Sequence, residues 1–420
     1  MKLNKLKRSL DLKDAVAVGL GAIIGAGIFV VTGVAAGVSG PSFIIGLLIA
    51  GTIATFNGLS SSQLAAVYPQ SGGTYEYGYR LLTPSLGFSA GWMFVLSKLS
   101  AGGIVAIGFG SYFHQLVPYF SPIEYSIAAI VLLTFANLWG IQKVGTINIA
   151  IVLITVLSLL YFVVGGIPSV DTTNFIPFAP FGWKGIAESA AILFFAFTGY
   201  ARIATLAEEV RNPRKTIPKA VIITIAVAIL LYVGVSIVAT GVLGAPSMAS
   251  TSSPLQLAAD RIQAPGMSVV ITLGASTAML GVLLSQIVGI SRMLLAMGRR
   301  NDLPHFFESI HKKTAVPHIA ILFTSAIILL ITLFGSFPFV VRTATFTILL
   351  YYTIANAAAI RQPRIEQIYG SIIPWLGLIG CIVMAFSLPC MVIVSGFGLL
   401  LIGFIARYIY QYSSKIKNGE

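Results

Sequence analysis

Residues 15–37 read AVAVGLGAIIGAGIFVVTGVAAG, an apolar run without a charged side chain. A helix needs about 20 such residues to cross a hydrocarbon core about 30 Å thick. Glycines stand at positions 21, 25 and 27, near the middle of the run. Glycines placed midway are typical of discontinuous transporter helices, in which freed backbone groups meet the substrate. This run therefore predicts a membrane-spanning helix that is interrupted at its centre.

Composition extends this reading to the whole chain. Of its 420 residues 57% are hydrophobic and 9% are charged, and the mean hydropathy is +0.92. A soluble chain needs about 25% charged residues to cover its surface. The apolar runs are long and nearly continuous, unlike the alternating segments of about ten residues in outer-membrane barrels, so the spans are expected to be helices. The short connections leave no room for a separate soluble domain.

These runs predict an all-α membrane protein with about twelve transmembrane helices in one domain, residues 1–420. The predicted spans are residues 14–36, 41–66, 84–116, 123–140, 145–166, 186–206, 218–243, 267–296, 316–334, 338–358, 371–388 and 390–411.

Basic residues lie mostly on one side of these spans. The net charge is +13, and of 26 basic residues all but Lys98, Lys184, Arg261 and Arg342 fall on the side of the N-terminus. By the positive-inside rule this side is cytoplasmic, so both termini are expected in the cytoplasm and the chain in the plasma (inner) membrane. Nucleic acid is excluded as a partner, because the basic residues are scattered between apolar runs and form no single soluble face.

A second interruption lies in the sixth span, where residues 195–199 read FAFTG. Gly27 and Gly199 are 172 residues apart, which makes helices one to five and six to ten matching units. Interruptions at corresponding positions of two halves point to an inverted-repeat transporter. We predict a 5+5 inverted repeat of residues 14–166 and 186–358 with discontinuous first and sixth helices, followed by two peripheral helices over residues 371–411.

Close packing is the alternative explanation of the first glycine set. Gly21 and Gly25 form a GxxxG pattern, which lets helix backbones approach each other. Packing alone explains neither the interruption of the sixth span nor the spacing between the two interruptions.

Lys98 stands near the middle of the predicted third span, between Leu96 and Leu99. A charged side chain at this depth costs at least about 2.5–3.5 kcal/mol on insertion scales. Lysines near a helix end escape this cost by snorkelling to the interface, but Lys98 is too central to do so easily. It is therefore a candidate for contact with the substrate carboxylate or for proton exchange.

Four motifs in order resemble the amino acid-polyamine-organocation transporter family. They are IGAGIF at residues 24–29, PQSGGTY at residues 69–75, EEVRNPRKTIP at residues 208–218 and NDLP at residues 301–304. The resemblance covers the whole chain. It implies a five-plus-five inverted repeat and secondary active transport of amino acids or related amines.

The resemblance also implies the site residues. The first interruption is expected to hold the substrate carboxylate through the backbone of Ile23, Ile24, Gly25, Ala26 and Gly27. The sixth-helix interruption is expected to supply the ammonium side through Ala196, Phe197, Thr198 and Gly199, with Phe195 as an aromatic lid. Gln286 of the eighth span faces the pocket in the family register, although an interhelical hydrogen bond explains it almost as well.

This chain departs from the family pattern at the positions that couple transport to an ion. In proton-coupled members a lysine of the fifth helix reaches the first, and the corresponding position here is Thr155. The hydroxyl positions of sodium-coupled members fall near Gly281 and Val282, which offer none. Either Lys98 carries proton coupling, or Thr155 serves another ion, or the protein exchanges or facilitates without an ion. Protons are slightly favoured, and sodium is less expected.

The substrate is expected to be a neutral amino acid. A substrate with a cationic side chain would favour a buried carboxylate in the site, but no acidic residue lies in the middle of a span. Aromatic rings can also bind cations, so cationic amino acids and polyamines remain alternative substrates.

A channel would need a continuous polar path. An enzyme would need a catalytic cluster, but no histidine is central in a span and no metal-ligand spacing occurs, so neither cofactor nor metal is expected. The expected partners are the amino acid and membrane lipid.

Overall fold

The structure is a computed structural model that describes residues 10–68, 72–140, 145–205 and 210–418. The predictions that involve Lys2, Lys5, Lys7 and Arg8, residues 69–71, Lys143, and Glu208 and Glu209 lie outside the described residues. Within these ranges the chain is helical and contains no strand, and an isolated bridge joins Leu10 to Val210.

Seventeen α-helices make up the described chain, with shorter 3₁₀ and π segments between them. The α-helices are α1 Leu12–Ile23, α2 Thr32–Ser39, α3 Phe43–Val67, α4 Thr74–Leu81, α5 Pro84–Leu116, α6 Pro122–Leu138, α7 Gly145–Gly166, α8 Gly182–Phe194, α9 Ala201–Thr205, α10 Pro213–Leu243, α11 Ala245–Ala249, α12 Pro254–Arg261, α13 Met267–Arg299, α14 His318–Phe334, α15 Phe337–Arg361, α16 Ile372–Phe386 and α17 Cys390–Asn418. The other segments are a π-helix Gly27–Val31 and 3₁₀ helices Gly40–Ser42, Ile167–Ser169, Thr172–Phe175, Phe195–Tyr200, His305–Glu308 and Arg364–Glu366.

The predicted membrane class is confirmed. By length and composition, 8 helical stretches are able to cross a membrane, and α6, α14 and α16 are shorter apolar helices. One stretch, Leu12–Val67, contains the first two predicted spans, which Gly40 separates with a turn at a φ of 63°. Counted with these two apart, the described residues contain the twelve crossings that hydropathy predicts. The third span ends where predicted, whereas the sixth begins earlier, at Gly182, and the twelfth extends to Asn418.

Both predicted interruptions are present. The first begins where α1 ends at Ile23: Ile24 leaves the helical region with φ −78° and ψ 108°, and the chain resumes as the π-helix from Gly27 before α2. Gly21 is therefore not part of the interruption, since it lies inside α1. The second is the 3₁₀ segment Phe195–Tyr200 between α8 and α9. We call residues 24–31 the first break and residues 195–200 the second break.

The helices pack in matched pairs. Helix α1 contacts α10 as α8 contacts α3, and α7 contacts α13 as α5 contacts α15. Likewise α5 packs on α6 as α13 packs on α14. Exchanging the two halves of an inverted repeat would generate such pairs, and they support the repeat bounds 14–166 and 186–358, which stay a prediction.

The last two helices lie outside these pairs. Helix α16 packs on α15 and α3, and α17 packs on α15 and α5, as expected of peripheral helices. We call the face with Leu10, α4 and the end of α13 the inner face, which the charge pattern predicts to be cytoplasmic. The opposite face, with α11 and α12, is the outer face.

Candidate functional site

The two breaks meet at the centre of the molecule, and each presents a glycine to the other. A Cβ on Gly27 would lie 2.5 Å from Cα of Ala196. A Cβ on Gly199 would overlap the backbone of Ala22 and Ile23. Gly27 and Gly199 therefore allow close backbone packing as well as interruption, while the packing explanation based on Gly21 and Gly25 stays a prediction.

The first break leaves backbone donors unused. The N–H of Ile24 closes α1 on the carbonyl of Leu20 at 2.9 Å, and the N–H groups of Ile28 and Phe29 reach the carbonyl of Gly25 at 3.2 and 3.4 Å. Among the described residues, none accepts a hydrogen bond from the N–H of Gly25 or Ala26. Unpaired N–H groups at the start of a half-helix carry a partial positive charge and attract anions. This geometry suits a carboxylate.

Three buried tyrosines satisfy carbonyls of the breaks, and sequence reasoning missed all three. The hydroxyl of Tyr232 in α10 donates to Ile23 O at 2.9 Å, that of Tyr112 in α5 to Phe29 O at 2.6 Å, and that of Tyr352 in α15 to Thr198 O at 3.3 Å. The available signal was a phenol in the middle of an apolar span, because a buried tyrosine hydroxyl usually has a hydrogen-bond partner.

Tyr232 is the tyrosine that links the end of α1 to the second break. Its hydroxyl also lies 3.5 Å from Ala196 O, and its ring packs against Phe197 with centroids 5.4 Å apart. A single side chain of α10 therefore fixes the end of α1 relative to the second break.

The second break is tightly packed. Phe197 is fully buried, and Phe195 and Ala196 are nearly so. The hydroxyl of Thr198 donates to Phe195 O at 3.0 Å, within the same 3₁₀ turn. The break thus offers a substrate mainly backbone groups and the ring of Phe195, whose role as a lid stays a prediction.

Lys98 lies inward of the breaks. Helix α5 meets Val30 of the first break at Gly108, ten residues beyond Lys98, which is roughly 15 Å along a helix. The half-buried amine stands 5.8 Å from the ring centroid of Phe94, and the charge of Arg202 on α9 acts on it. Within the described residues it has no hydrogen bond or ion pair. Lys98 therefore lies inward of the contact between Gly108 and Val30, and its expected contact with the substrate carboxylate stays a prediction.

Gln286 lies close to the first break but not on it. Val282, one turn away on α13, would touch a Cβ on Gly25 at 2.9 Å. Gln286 and Gly289 follow on the same face of α13, one and two turns inward. Gln286 is partly exposed and makes no hydrogen bond to a described residue, and a Cβ on Gly289 would meet nothing within 4 Å. The face of α13 that touches the first break is thus open further inward.

Thr155 joins α7 to α13 outward of this level. Its hydroxyl donates to Ile151 O at 2.8 Å and lies 3.4 Å from Gly274 O. Gly274 precedes Gly281 by seven residues, roughly 10 Å along the helix. The α7 residue that faces Gly281 is Ile151. Thr155 is therefore an interhelical contact in this structure, and a role in coupling stays a prediction.

Acidic side chains are scarce near the breaks. Of the described acidic residues, Glu188 of α8 lies well inside a helix of the bundle, and it is paired with Arg342 of α15 at 2.9 Å. Sequence reasoning placed Arg342 only among the basic residues that do not lie on the side of the N-terminus, and it did not foresee the pair. Across the described residues no group of His, Cys, Asp and Glu is arranged to hold a metal ion.

Comparison with known proteins gives a family match and several relatives. Residues 14–415 match the family model described as amino acid permease. An uncharacterized transporter of Mycobacterium tuberculosis is 37% identical over 99% of this chain and 95% of its own. A branched-chain amino acid permease of Bacillus subtilis is 28% identical over 97% of this chain and 93% of its own. A chloroplastic cationic amino acid transporter of Arabidopsis thaliana is 30% identical over 73% of this chain and 58% of its own.

Proposed function

We propose, from the premise that the chain belongs to the amino acid permease family, that it carries a neutral amino acid across the membrane by alternating access. The observation that carries the proposal is the meeting of the two breaks, with the N–H groups of Gly25 and Ala26 unpaired beside the buried backbone of Ala196. A multi-pass membrane protein of this family takes up a small molecule, and this backbone geometry matches an amino acid head group.

In this proposal the two breaks divide the head group between them. The N–H groups of Gly25 and Ala26 bind the carboxylate, since they lie at the positive end of a half-helix. The ammonium is held by carbonyls of the second break, among which that of Ala196 has only a long 3.5 Å contact to the phenol of Tyr232. Both charged groups of the substrate then have partners once water is removed, as burial requires.

The scarcity of acidic side chains supports a neutral substrate. In the described part of the chain, no unpaired carboxylate lies near the breaks to pair with a cationic substrate side chain. Glu188 already forms an ion pair with Arg342. A relative that matches nearly the full length of both chains is named a branched-chain amino acid permease. We therefore favour a neutral, apolar amino acid over a cationic one or a polyamine.

Proton coupling through Lys98 is the second part of the proposal. Lys98 combines a titratable amine, a half-buried position inward of the breaks and the lack of an ion pair with any described residue. Thr155 carries no titratable group, and its hydroxyl lies at a contact between α7 and α13, so we place proton coupling at Lys98. Exchange without a coupling ion is the competing mechanism. Sodium coupling is less favoured.

Uptake into proteoliposomes tests substrate and coupling together. Purified protein is reconstituted, and uptake of labelled leucine, alanine and lysine is followed with and without an inward proton gradient. We expect leucine to accumulate above equilibrium only with the gradient. Lys98→Ala should abolish this accumulation. The control variant Lys184→Ala, at an exposed residue on the outer side, should keep it. Uptake that requires preloaded amino acid would establish exchange instead, and selective uptake of lysine would refute the neutral substrate.

The orientation is proposed on charge alone. The inner face carries Arg211, Arg214 and Lys215 beside the start of α10, so we place it in the cytoplasm of a cell whose plasma (inner) membrane holds the protein. Labelling of single cysteines with an impermeant reagent in intact cells tests this. A cysteine at position 183, near the outer end of α8, should react, and one at position 309 should not.

A further inference from the structure

A cavity of about 400 Å³ opens on the outer face. Gly33, Val34 and Val38 of α2 form one wall, residues 249–252 form the second, and Phe337 and Arg342 of α15 form the third. Its volume falls in the range of about 300–1,000 Å³ that small-molecule pockets occupy. Gly33 lies six residues beyond Gly27, roughly 9 Å along a helix, so the cavity is directly outward of the first break.

The side chain of Arg342 lines this cavity and offers its guanidinium group as a binding group. Its Nε donates to Glu188 Oε1 at 2.9 Å, and its side chain is 22% exposed. Within the described chain nothing accepts a hydrogen bond from its two Nη groups. The guanidinium fork binds a carboxylate through two parallel hydrogen bonds, which a lysine does not reproduce. Glu188 binds Nε of the arginine, so the edge that carries the two Nη groups remains available to a ligand.

The remaining walls match a small amino acid. Val34 and Val38 on the α2 wall and Phe337 on the α15 wall provide apolar surface, and Ser250 is exposed. A ligand with a carboxylate at one end and a short apolar body at the other satisfies both parts of the lining. An inorganic anion would use the arginine alone.

We propose that this cavity is an outer subsite, in which Arg342 binds the carboxylate of the amino acid before the substrate reaches the breaks. The inference rests on the proposed function, because it takes its ligand from there. Arg342 acts as a positioning residue for the substrate, and Glu188 holds the arginine in place. The first break leads directly into α2, so in this proposal the carboxylate passes from the guanidinium to the N–H groups of Gly25 and Ala26.

Protection of a cysteine at the rim measures occupancy of the cavity directly. Cys390, which is exposed, is replaced by serine, while the buried Cys381 is left unchanged. Ser250→Cys then supplies a single accessible thiol, and the rate of its reaction with an impermeant thiol reagent is measured against leucine concentration. We expect leucine to slow the reaction, and isoamylamine, which is leucine without its carboxylate, to have no effect.

Two variants separate carboxylate binding from the ion pair. Both Arg342→Gln and Glu188→Gln break the same pair, but only the first removes the fork. Arg342→Gln removes hydrogen bonds to a charged group, so it should raise the half-protecting leucine concentration about tenfold or more. Glu188→Gln should leave it unchanged or lower it. Elution of each variant as a single folded species is checked by size-exclusion chromatography.

Each contrary outcome overturns the inference. Equal effects of the two variants would mean that the arginine serves only the ion pair. Protection unaffected by Arg342→Gln would mean that substrate at the breaks closes the cavity from a distance. Equal protection by chloride or acetate would make this an anion site. If the parent protein takes up no amino acid at all, the proposed function fails; if it takes up leucine while Arg342→Gln leaves protection unchanged, only the outer subsite fails.

Discussion

At the scale of single residues, Tyr232 carries more of the site than any side chain that the motifs identify. Its hydroxyl binds the last carbonyl of α1 while its ring packs on the second break. The substrate site is built largely from backbone, so the side chains that hold the backbone decide its shape. A phenol that contacts no substrate is thereby expected to influence binding.

Tyr232→Phe should weaken both folding and substrate binding. It leaves the buried carbonyl of Ile23 without its donor, which costs about 1–3 kcal/mol. The control is Tyr161→Phe, because the hydroxyl of Tyr161 also donates to a carbonyl, that of Pro265 at 2.8 Å, but at an exposed position. Thermal unfolding in detergent and leucine binding by calorimetry measure the two effects. Equal losses in both variants would contradict the assignment.

Asp11 makes the inner end of α1 sensitive to acid. The N–H groups of Asp14 and Lys13 donate to its carboxylate, which lowers its pKa below the ordinary value of 3.8. A lowered pKa in the folded state means that the cap stabilises α1 above this ordinary value and is lost as the pH falls through the lowered one. Hydrogen exchange in α1, corrected for the intrinsic rate, should therefore accelerate at acid pH.

The matched variant for this prediction is Asp11→Asn. Asparagine also caps helices but does not titrate, so its α1 should exchange at a rate that depends less on pH. Asp11→Ala should exchange faster at every pH. An identical acid response of parent and Asp11→Asn would exclude Asp11 as the cause.

At the scale of elements, the crossing of the two broken helices depends on contact between backbones. Adding one methyl group at Gly27 places it 2.5 Å from Cα of Ala196, and overpacking of this kind costs about 1–3 kcal/mol. Gly27→Ala should lower the unfolding midpoint and abolish leucine uptake. Gly289→Ala is the control, because a Cβ there meets nothing within 4 Å and alanine favours the helix by about 0.5–1 kcal/mol. Normal uptake by Gly27→Ala would refute the contact.

At the scale of the whole molecule, a buried ionic cluster joins the peripheral helix α17 to the inner face. Asp302, only 1% exposed, accepts hydrogen bonds from Tyr75 at 2.6 Å and Tyr79 at 2.6 Å and pairs with Arg407 of α17 at 2.8 Å. Helices α4 and α17 and the segment after α13 therefore share one carboxylate. The NDLP motif has a structural reason in this cluster, independent of the substrate.

Asp302→Asn should destabilise the protein strongly. It leaves the mostly buried Arg407 without its counter-ion, and breaking a buried pair costs about 3–5 kcal/mol. The exposed pair of His305 and Glu308 provides the control, since Glu308→Gln should change stability by no more than about 0.5 kcal/mol. Thermal unfolding in detergent compares the two. Similar midpoints for both variants would show that the cluster does not hold α17.

The sequence predicted most of the fold, but it missed the tyrosines that hold the two breaks, for identifiable reasons. Spans and breaks are local features, so hydropathy and glycine placement found them to within a few residues. The tyrosine caps are not local: Tyr112 and Phe29 lie 83 residues apart, and Tyr232 and Ile23 lie 209 apart. Lys98 illustrates the same limit, because its depth was readable from the sequence, whereas the contact of α5 with Val30 at Gly108 joins residues far apart in the chain.

The close contact of the two broken helices at Gly27 and Gly199, the glycine crossing, also limits how such a protein diverges in evolution. Gly199 faces main chain at Ala22 and Ile23, and Gly27 faces Cα of Ala196 as well as its Cβ. No mutation can make main chain smaller. A lineage therefore has no compensating change that would admit a side chain at either position. New substrate preferences must arise at residues whose side chains border the gap, such as Phe195 and Gln286, while the crossing itself is inherited unaltered.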